Sequence, residues 1–204
     1  MATKYLFSDV REQLLHSLKG AYPTKLEAYR TASVLGEDVF GSPKPHPNLV
    51  LNLFLEQSVR FAIPVAAYRA ALGGFSSLIR DEPGMVLPRL TLASIFYGTD
   101  MMQSEMSKCA HSIACSMSLE GCGHEGCFMH SGVYSREERM EGVKKIYEAI
   151  VKGGKGDVLS SLTLPGEVCM ECGGPPRTEY DRLHEKIWEN LPRIFRVGKS
   201  WEEL

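Results

Sequence analysis

Apolar residues recur at helical spacing along most of the chain, and no stretch alternates between apolar and polar positions for long enough to predict a strand. The first predicted helix begins after Ser8, a residue type favoured at the N-cap, and ends at Gly20. Its apolar stripe consists of Val10, Leu14, Leu15 and Leu18. The period of the pattern predicts an all-α protein.

The middle of the chain contains several start and stop signals for helices. Asn48 is predicted to cap a central helix, Pro64 to lie in the first turn of the next one, and Gly73 to end it. Pro88 and Asp100 are each predicted to open a further helix. The apolar positions expected to surround most of the central helix are Leu49, Val50, Leu53, Phe54 and Ile63. This helix is therefore expected to lie in the core.

The last third of the chain carries two more helical patterns. A capping box at Ser135 and Glu138 predicts the start of one helix, and a final helix is predicted from Thr178. Its inward face is expected to consist of Tyr180, Leu183, Ile187, Trp188 and Leu191. Phe195 and Trp201 then anchor the end of the chain. We predict a helical bundle whose residues 21–117 form one helical domain and whose residues 118–204 form a glycine-rich, zinc-clipped helical part docked on it.

Two cysteine pairs carry the strongest chemical signal. Cys122 and Cys127 lie in a glycine-rich loop, and Cys169 and Cys172 form a C-x2-C pair followed by two glycines. Two thiolates a few residues apart can bind one ion from a single turn, and two such pairs supply the four soft ligands of a closed tetrahedral zinc site. Because 41 residues separate the pairs, the ion would join distant parts of the chain. The predicted cofactor is structural zinc.

Several alternatives remain open at this point. The cysteines are also consistent with inert buried thiols or with a redox role. His124 and His130 lie close to the first pair, and either imidazole could replace a thiolate as a ligand. Cys109, His111 and Cys115 lie upstream on a predicted helix and are interpreted first as packing or surface residues.

Composition and charge narrow the class of protein. The chain has 204 residues, of which 44% are hydrophobic and 24% charged, as in an ordinary globular protein. Its 23 basic and 25 acidic residues give a net charge of −2, which argues against a nucleic-acid or anionic-membrane partner. The N-terminus lacks a signal-peptide pattern, and no stretch reaches 18 apolar residues. We therefore expect an intracellular protein of the cytoplasm or nucleus, where close cysteine pairs more often bind metal than each other.

Several segments resemble a known family. The stretch KYLFSDVREQLLHSLKGAYPT, the two cysteine pairs and the ending IWENLPRIFRVGKSWEEL are similar to the region that follows the BTB/POZ domain in fungal BTB-domain proteins. By this resemblance, residues 1–20 correspond to the closing helices of a BTB domain, and the four cysteines match recurring cysteines of the family. The resemblance implies protein recruitment. Because the BTB domain itself is largely absent here, the resemblance does not imply dimerisation or cullin binding.

No catalytic signature accompanies these features. The sequence lacks a G-x-S-x-G motif, a phosphate-binding loop of the GKS type and an H-E-x-x-H motif. The function predicted first is a non-enzymatic adaptor that binds a protein partner. One alternative is zinc-supported binding of nucleic acid. The other is a metal-dependent hydrolase, in which His124 or His130 leaves a coordination position for water and Glu120 or Glu125 acts as the base.

Overall fold

A computed structural model describes residues 2–35, 45–79, 82–117, 122, 127, 129, 134–153, 157, 159 and 168–204. Within these residues the chain forms eight α-helices and no strand. The helices are α1 (Ala2–Ala21), α2 (Leu26–Leu35), α3 (Pro47–Glu56), α4 (Ile63–Leu72), α5 (Phe75–Leu78), α6 (Arg89–Ser116), α7 (Arg136–Gly153) and α8 (Met170–Ile194). The all-α prediction is confirmed. Among the helices described, none is both long and apolar enough to cross a membrane.

The chain divides into two compact units. The first comprises Met1–Thr99 together with Trp188–Leu204, and the second comprises Asp100–Ile187. The long helices α6 and α8 each contribute residues to both units. The sequence-based boundaries after residues 20 and 117 stay predictions.

Helix α6 is a single 28-residue helix where the sequence predicted two. Asp100 lies inside it and is not an N-cap. Gly98, next to the predicted break, is tolerated because the helix backbone packs closely against an aromatic ring: a Cβ atom at this position would lie 2.8 Å from Phe195 Cε1. A glycine in a helix costs only about 1 kcal/mol. The helix therefore continues through the predicted boundary.

Two helices bury a narrower face than their sequences predicted. Helix α1 begins at Ala2, not after Ser8, and Leu14 of its predicted stripe is exposed. In α3, Leu49 and Leu53 are exposed, whereas the opposite face is buried. The buried apolar residues of α3 are Val50, Leu51 and Phe54. Helix α3 is therefore a boundary helix with one core face, and the prediction that it is surrounded by core was wrong.

Asn48 ties helix α3 to α5 and to the segment that follows α5. The N-cap of α3 is His46, whose Nδ1 accepts a hydrogen bond from the Asn48 N–H at 3.2 Å. The Asn48 side chain is fully buried, and its Nδ2 donates to the carbonyls of Ser77 at 2.9 Å and Met85 at 3.2 Å. Asn48 was predicted as the cap itself. It acts instead as a buried polar tie between chain segments, because a buried amide group is stable only when it is hydrogen-bonded.

Replacing Asn48 by alanine is expected to lower the free energy of unfolding by about 2 kcal/mol, because it leaves buried carbonyls without their donor. Urea unfolding measures the loss. Asn52→Ala is the matched control: its Nδ2 also donates to two carbonyls, those of Gly84 at 2.8 Å and Val86 at 3.0 Å, but at an exposed site. Its loss should stay below about 1 kcal/mol. Equal losses for the two variants would contradict the role of Asn48.

The C-terminal aromatic residues are packed in the first unit as the sequence predicted. Trp188 is only 4% exposed, and its Nε1–H donates to the Thr24 carbonyl at 3.0 Å. Its ring centroid lies 5.3 Å from those of Tyr29 and Trp201. Trp201 Nε1–H in turn donates to the Trp188 carbonyl at 2.8 Å. Three aromatic rings and two hydrogen bonds thus hold the end of the chain against α2.

In the second unit, Glu105 joins α6 to α8. Its carboxylate accepts from Lys186 Nζ at 2.6 Å and from Lys108 Nζ at 2.7 Å. The hydrogen bonds from Lys108 and then Lys186 lower the pKa of Glu105. Since the folded-state pKa lies below the unfolded value of about 4.3, the pairs stabilise the fold above that value. Their contribution is lost as the pH falls through the folded-state pKa.

We expect Glu105→Gln to lower the free energy of unfolding by less than about 1 kcal/mol at pH 7, because both pairs are partly exposed. The difference from wild type should disappear below the folded-state pKa, where the wild-type carboxyl is also neutral. Urea unfolding at a series of pH values between 7 and acid checks both points. Glu141→Gln, which breaks an exposed pair with Lys144, is the control and should change stability by less than about 0.5 kcal/mol. A difference for Glu105→Gln that stays constant with pH would contradict this account.

Candidate metal centre

The two cysteine pairs lie together in the second unit. The sulfur atoms of Cys122, Cys127, Cys169 and Cys172 all lie within 4.8 Å of one another. Cys127 is buried and the other three are partly exposed. The sequence predicted that these two remote pairs converge, and the structure places them in one cluster that could hold a metal ion.

A backbone hydrogen bond holds Cys122, the first cysteine of the first pair. The N–H of Cys122 donates to the carbonyl of Met129 at 2.8 Å, and the Met129 side chain is fully buried. This hydrogen bond fixes Cys122 to Met129, and Cys127 is also buried. Sequence reasoning did not identify Met129, because a carbonyl acceptor carries no signature in the residue type.

The second pair lies at the N-terminus of α8. Cys169 immediately precedes the helix, and its carbonyl accepts the Gly173 N–H at 2.8 Å. Cys172 lies in the first turn, where its N–H donates to Cys169 Sγ at 3.5 Å. The final helix was predicted from Thr178 and actually begins at Met170. Because positions three apart share one face of a helix, this first turn directs both sulfurs to the same side.

Amide donors and burial act differently on the two thiols of this pair. The pKa of Cys169 is lowered to about 7, chiefly because the Cys172 N–H donates a hydrogen bond to its sulfur. Burial raises the pKa of Cys172, and the neighbouring cysteine sulfurs raise it further. Within this pair, Cys169 therefore ionises before Cys172, and its negative charge disfavours the ionisation of Cys172.

The cluster matches the dimensions of a tetrahedral thiolate site. Zinc–sulfur bonds of about 2.3 Å place neighbouring sulfurs about 3.8 Å apart around a tetrahedral ion. The sulfurs already lie within 4.8 Å, so a movement of about 1 Å or less brings them to that spacing. None of these four cysteines forms a disulfide bond. The N–H donor to Cys169 Sγ is the kind of outer contact that orients a metal ligand.

The upstream cysteines lie outside the cluster, as the sequence analysis expected. Cys109 is buried, and burial is the main reason why its pKa is raised to about 11. A thiol with this pKa stays neutral near pH 7. Cys115 is exposed, and its Sγ lies 3.6 Å from Nε2 of His111, one turn away on α6.

His124 and His130, the alternative ligands, lie outside the described residues, as do Glu120 and Glu125. A substitution of imidazole for thiolate therefore stays a prediction. The four sulfurs need no further donor, because together they complete the coordination number of a structural zinc site.

The sequence matches no family model, and neither a curated protein nor a solved structure is significantly similar to it. The resemblance to the region following the BTB/POZ domain therefore stays a prediction.

Proposed function

We propose that Cys122, Cys127, Cys169 and Cys172 bind one zinc ion, and that the ion has a structural role in a non-enzymatic protein-interaction module. The single observation that carries the metal site is the convergence of four sulfurs from two remote segments within 4.8 Å. Zinc would join Cys122 and Cys127 to the first turn of α8.

The donor set favours zinc. Four thiolates in a tetrahedral arrangement suit zinc or iron, whereas magnesium and calcium require oxygen ligands. Zinc has no redox chemistry and imposes no preferred geometry beyond that of its ligands. Such an ion suits a site in which a backbone hydrogen bond holds Cys122 and a helix terminus holds the second pair.

A structural role follows from the number of donors. A catalytic zinc ion keeps one position for water beside three protein ligands, whereas four thiolates fill the tetrahedral sphere. The thiolates also neutralise the ion and weaken its action as a Lewis acid. Four thiolate ligands therefore favour an interaction module over the hydrolase that the sequence left as an alternative.

The surface of the first unit supports an interaction role. Large apolar side chains are exposed there, including Phe75, Val86 and Leu90 at 65%, 58% and 84%. The ring of Phe75 also stacks on that of Phe96, with centroids 5.4 Å apart. Phe75 and the partly exposed Phe96 thus form an apolar pair at the surface, a feature that favours binding of a protein partner.

Elemental analysis of freshly purified, reduced protein tests the metal assignment. We expect one zinc ion per chain, no stoichiometric iron, and the release of zinc by a chelator under denaturing conditions. Replacement of zinc by Co²⁺ should give the visible absorption of a tetrahedral cobalt–thiolate site. Protein that contains no metal and binds no added zinc would refute the assignment.

A further inference from the structure

A cleft of about 220 Å³ opens in the first unit between α3, α4, α6 and the segment that follows α8. Its buried floor is entirely apolar. The floor residues are Leu51, Ile63, Ala67, Ile95 and Phe195. At the mouth, the Leu90 side chain is 84% exposed, and Thr91 and Arg196 also line the cleft. An open apolar floor beside an exposed leucine is available for contact with a second molecule.

Arg196 occupies a backbone position that normally favours glycine. Its φ is +57°, in the left-handed region, and it ends α8 as the C′ residue of a Schellman motif. The Arg196 N–H donates to the Arg193 carbonyl at 3.1 Å, and the Val197 N–H donates to the Pro192 carbonyl at 2.8 Å. Glycine adopts this conformation without the steric cost that arginine incurs. A strained residue at the mouth of a cleft points to a role for its side chain.

The guanidinium of Arg196 is held at this mouth by an aromatic ring. Its Cζ lies 4.6 Å from the ring centroid of Tyr97, the distance of a cation–π contact. Among the described residues, no carboxylate pairs with it, and it is the one charged side chain that lines the cleft. The cleft therefore combines an apolar floor with a positive charge that is free to accept a carboxylate partner.

We propose that this cleft binds an acidic peptide segment of a partner protein. One large apolar side chain of the peptide enters the cleft, and a neighbouring Asp or Glu carboxylate pairs with Arg196. The inference deepens the proposed interaction role and rests on it. Because Arg196 is positively charged, electrostatic complementarity favours a negatively charged partner segment. The apolar floor provides the site for its apolar anchor side chain.

The size of the cleft favours a peptide side chain over a small-molecule ligand. The cleft measures about 220 Å³ and is open to solvent. Small-molecule pockets are usually about 300 to 1,000 Å³ and bury most of the ligand. An open site for a single anchor residue with a polar rim is typical of a protein interface.

The test uses the full zinc-loaded chain and synthetic octapeptides. Each peptide carries a central Leu-Glu, Phe-Glu or Trp-Glu pair among Ser and Gly residues, and a matched series has Lys in place of Glu. Binding is measured by NMR titration. We expect at least one Glu peptide to bind about tenfold more tightly than its Lys counterpart, with shifts centred on residues lining the cleft.

Two variants test the roles of Arg196 and Leu90 in peptide binding, and neither is expected to destabilise the fold. Arg196→Gly should abolish the preference for Glu over Lys while leaving the melting temperature unchanged or higher, because glycine suits the backbone at this position. Leu90→Ser should weaken both peptide series without a loss of stability, because its side chain is exposed. Arg193→Ala, which removes the same charge at an exposed position that does not line the cleft, is the control and should bind like wild type.

Equal binding of the Glu and Lys series, no binding of any peptide, or a preference that survives in Arg196→Gly would overturn the proposal. Tighter binding of octanoate than of every peptide would also overturn it, in favour of a small carboxylate ligand. Zinc content is measured on the same samples. If zinc-loaded protein fails to bind any peptide, peptide binding in the cleft is refuted and the zinc site is not. If wild type and Arg196→Gly bind a partner protein equally well, the cleft is not the binding site, although the interaction role of the protein stands.

Discussion

Cys172→Ser is expected to abolish zinc binding and to lower the free energy of unfolding by an amount on the order of 5 kcal/mol. The loss is large because the ion joins two segments that are remote in sequence, and binding free energy becomes folding free energy when the site forms only on folding. It should be smaller than in a zinc finger, because the second unit also buries apolar residues of its own. They include Met106, Ile113, Ile146 and Ile150. Urea unfolding and metal analysis of the same samples measure both effects.

Cys115→Ser provides the matched control for this prediction. It makes the same chemical change at an exposed cysteine outside the cluster and should leave both zinc content and stability unchanged within about 0.5 kcal/mol. Wild-type protein stripped of zinc by a chelator should unfold like Cys172→Ser, because each has lost the same bond network. If Cys172→Ser keeps one zinc ion and wild-type stability, Cys172 is not a ligand.

Trp188→Ala should lower the free energy of unfolding by about 3 to 5 kcal/mol. The substitution removes a buried indole, its stacking on Trp201, its tilted ring contact with Tyr29, and the hydrogen bond to the Thr24 carbonyl. Equilibrium unfolding in urea, followed by far-UV circular dichroism, measures the change.

Trp188→Phe separates the contributions to this loss. Phenylalanine keeps most of the buried apolar surface but cannot donate to Thr24, so we expect a smaller loss of about 1 to 2 kcal/mol. Leu90→Ala, at a side chain that is 84% exposed, should cost less than about 0.5 kcal/mol. A loss below about 0.5 kcal/mol for Trp188→Ala would show that the end of the chain is not packed as described.

The features that the sequence predicted correctly depend on local chemistry. The capping box at the start of α7 forms as expected: the Ser135 N–H donates to Glu138 Oε2 at 2.7 Å, and the Glu138 N–H donates to Ser135 Oγ at 3.2 Å. Pro64 lies in the first turn of α4, and Gly73 follows its last residue. Such signals act between residues a few positions apart, so the residue types alone are sufficient to identify them.

The errors arise where packing between distant residues decides the outcome. Gly98 and Asp100 read as a helix boundary, yet Phe195, almost a hundred residues later, packs against Gly98 and the helix continues. Asn48 has the residue type of an N-cap, but its side chain donates hydrogen bonds to carbonyls about thirty to forty positions away in the sequence. Propensity is a weak prior, and tertiary contacts of this kind override it.

The metal cluster and the cleft differ in how far the sequence could identify them. Cysteine spacing identified the four candidate ligands, because two close thiol pairs in short glycine-rich segments are typical of a metal site. The cleft has no comparable sign: its lining comes from four separate segments, and the left-handed conformation of Arg196 is unexpected for a residue other than glycine. Only the folded backbone brings these residues together.

X-ray absorption at the zinc edge of the purified, reduced protein tests the central claim most directly. The account predicts one zinc ion per chain surrounded by four sulfur atoms at about 2.3 Å. A shell containing nitrogen or oxygen donors, or protein that takes up no zinc, would contradict the four-cysteine site.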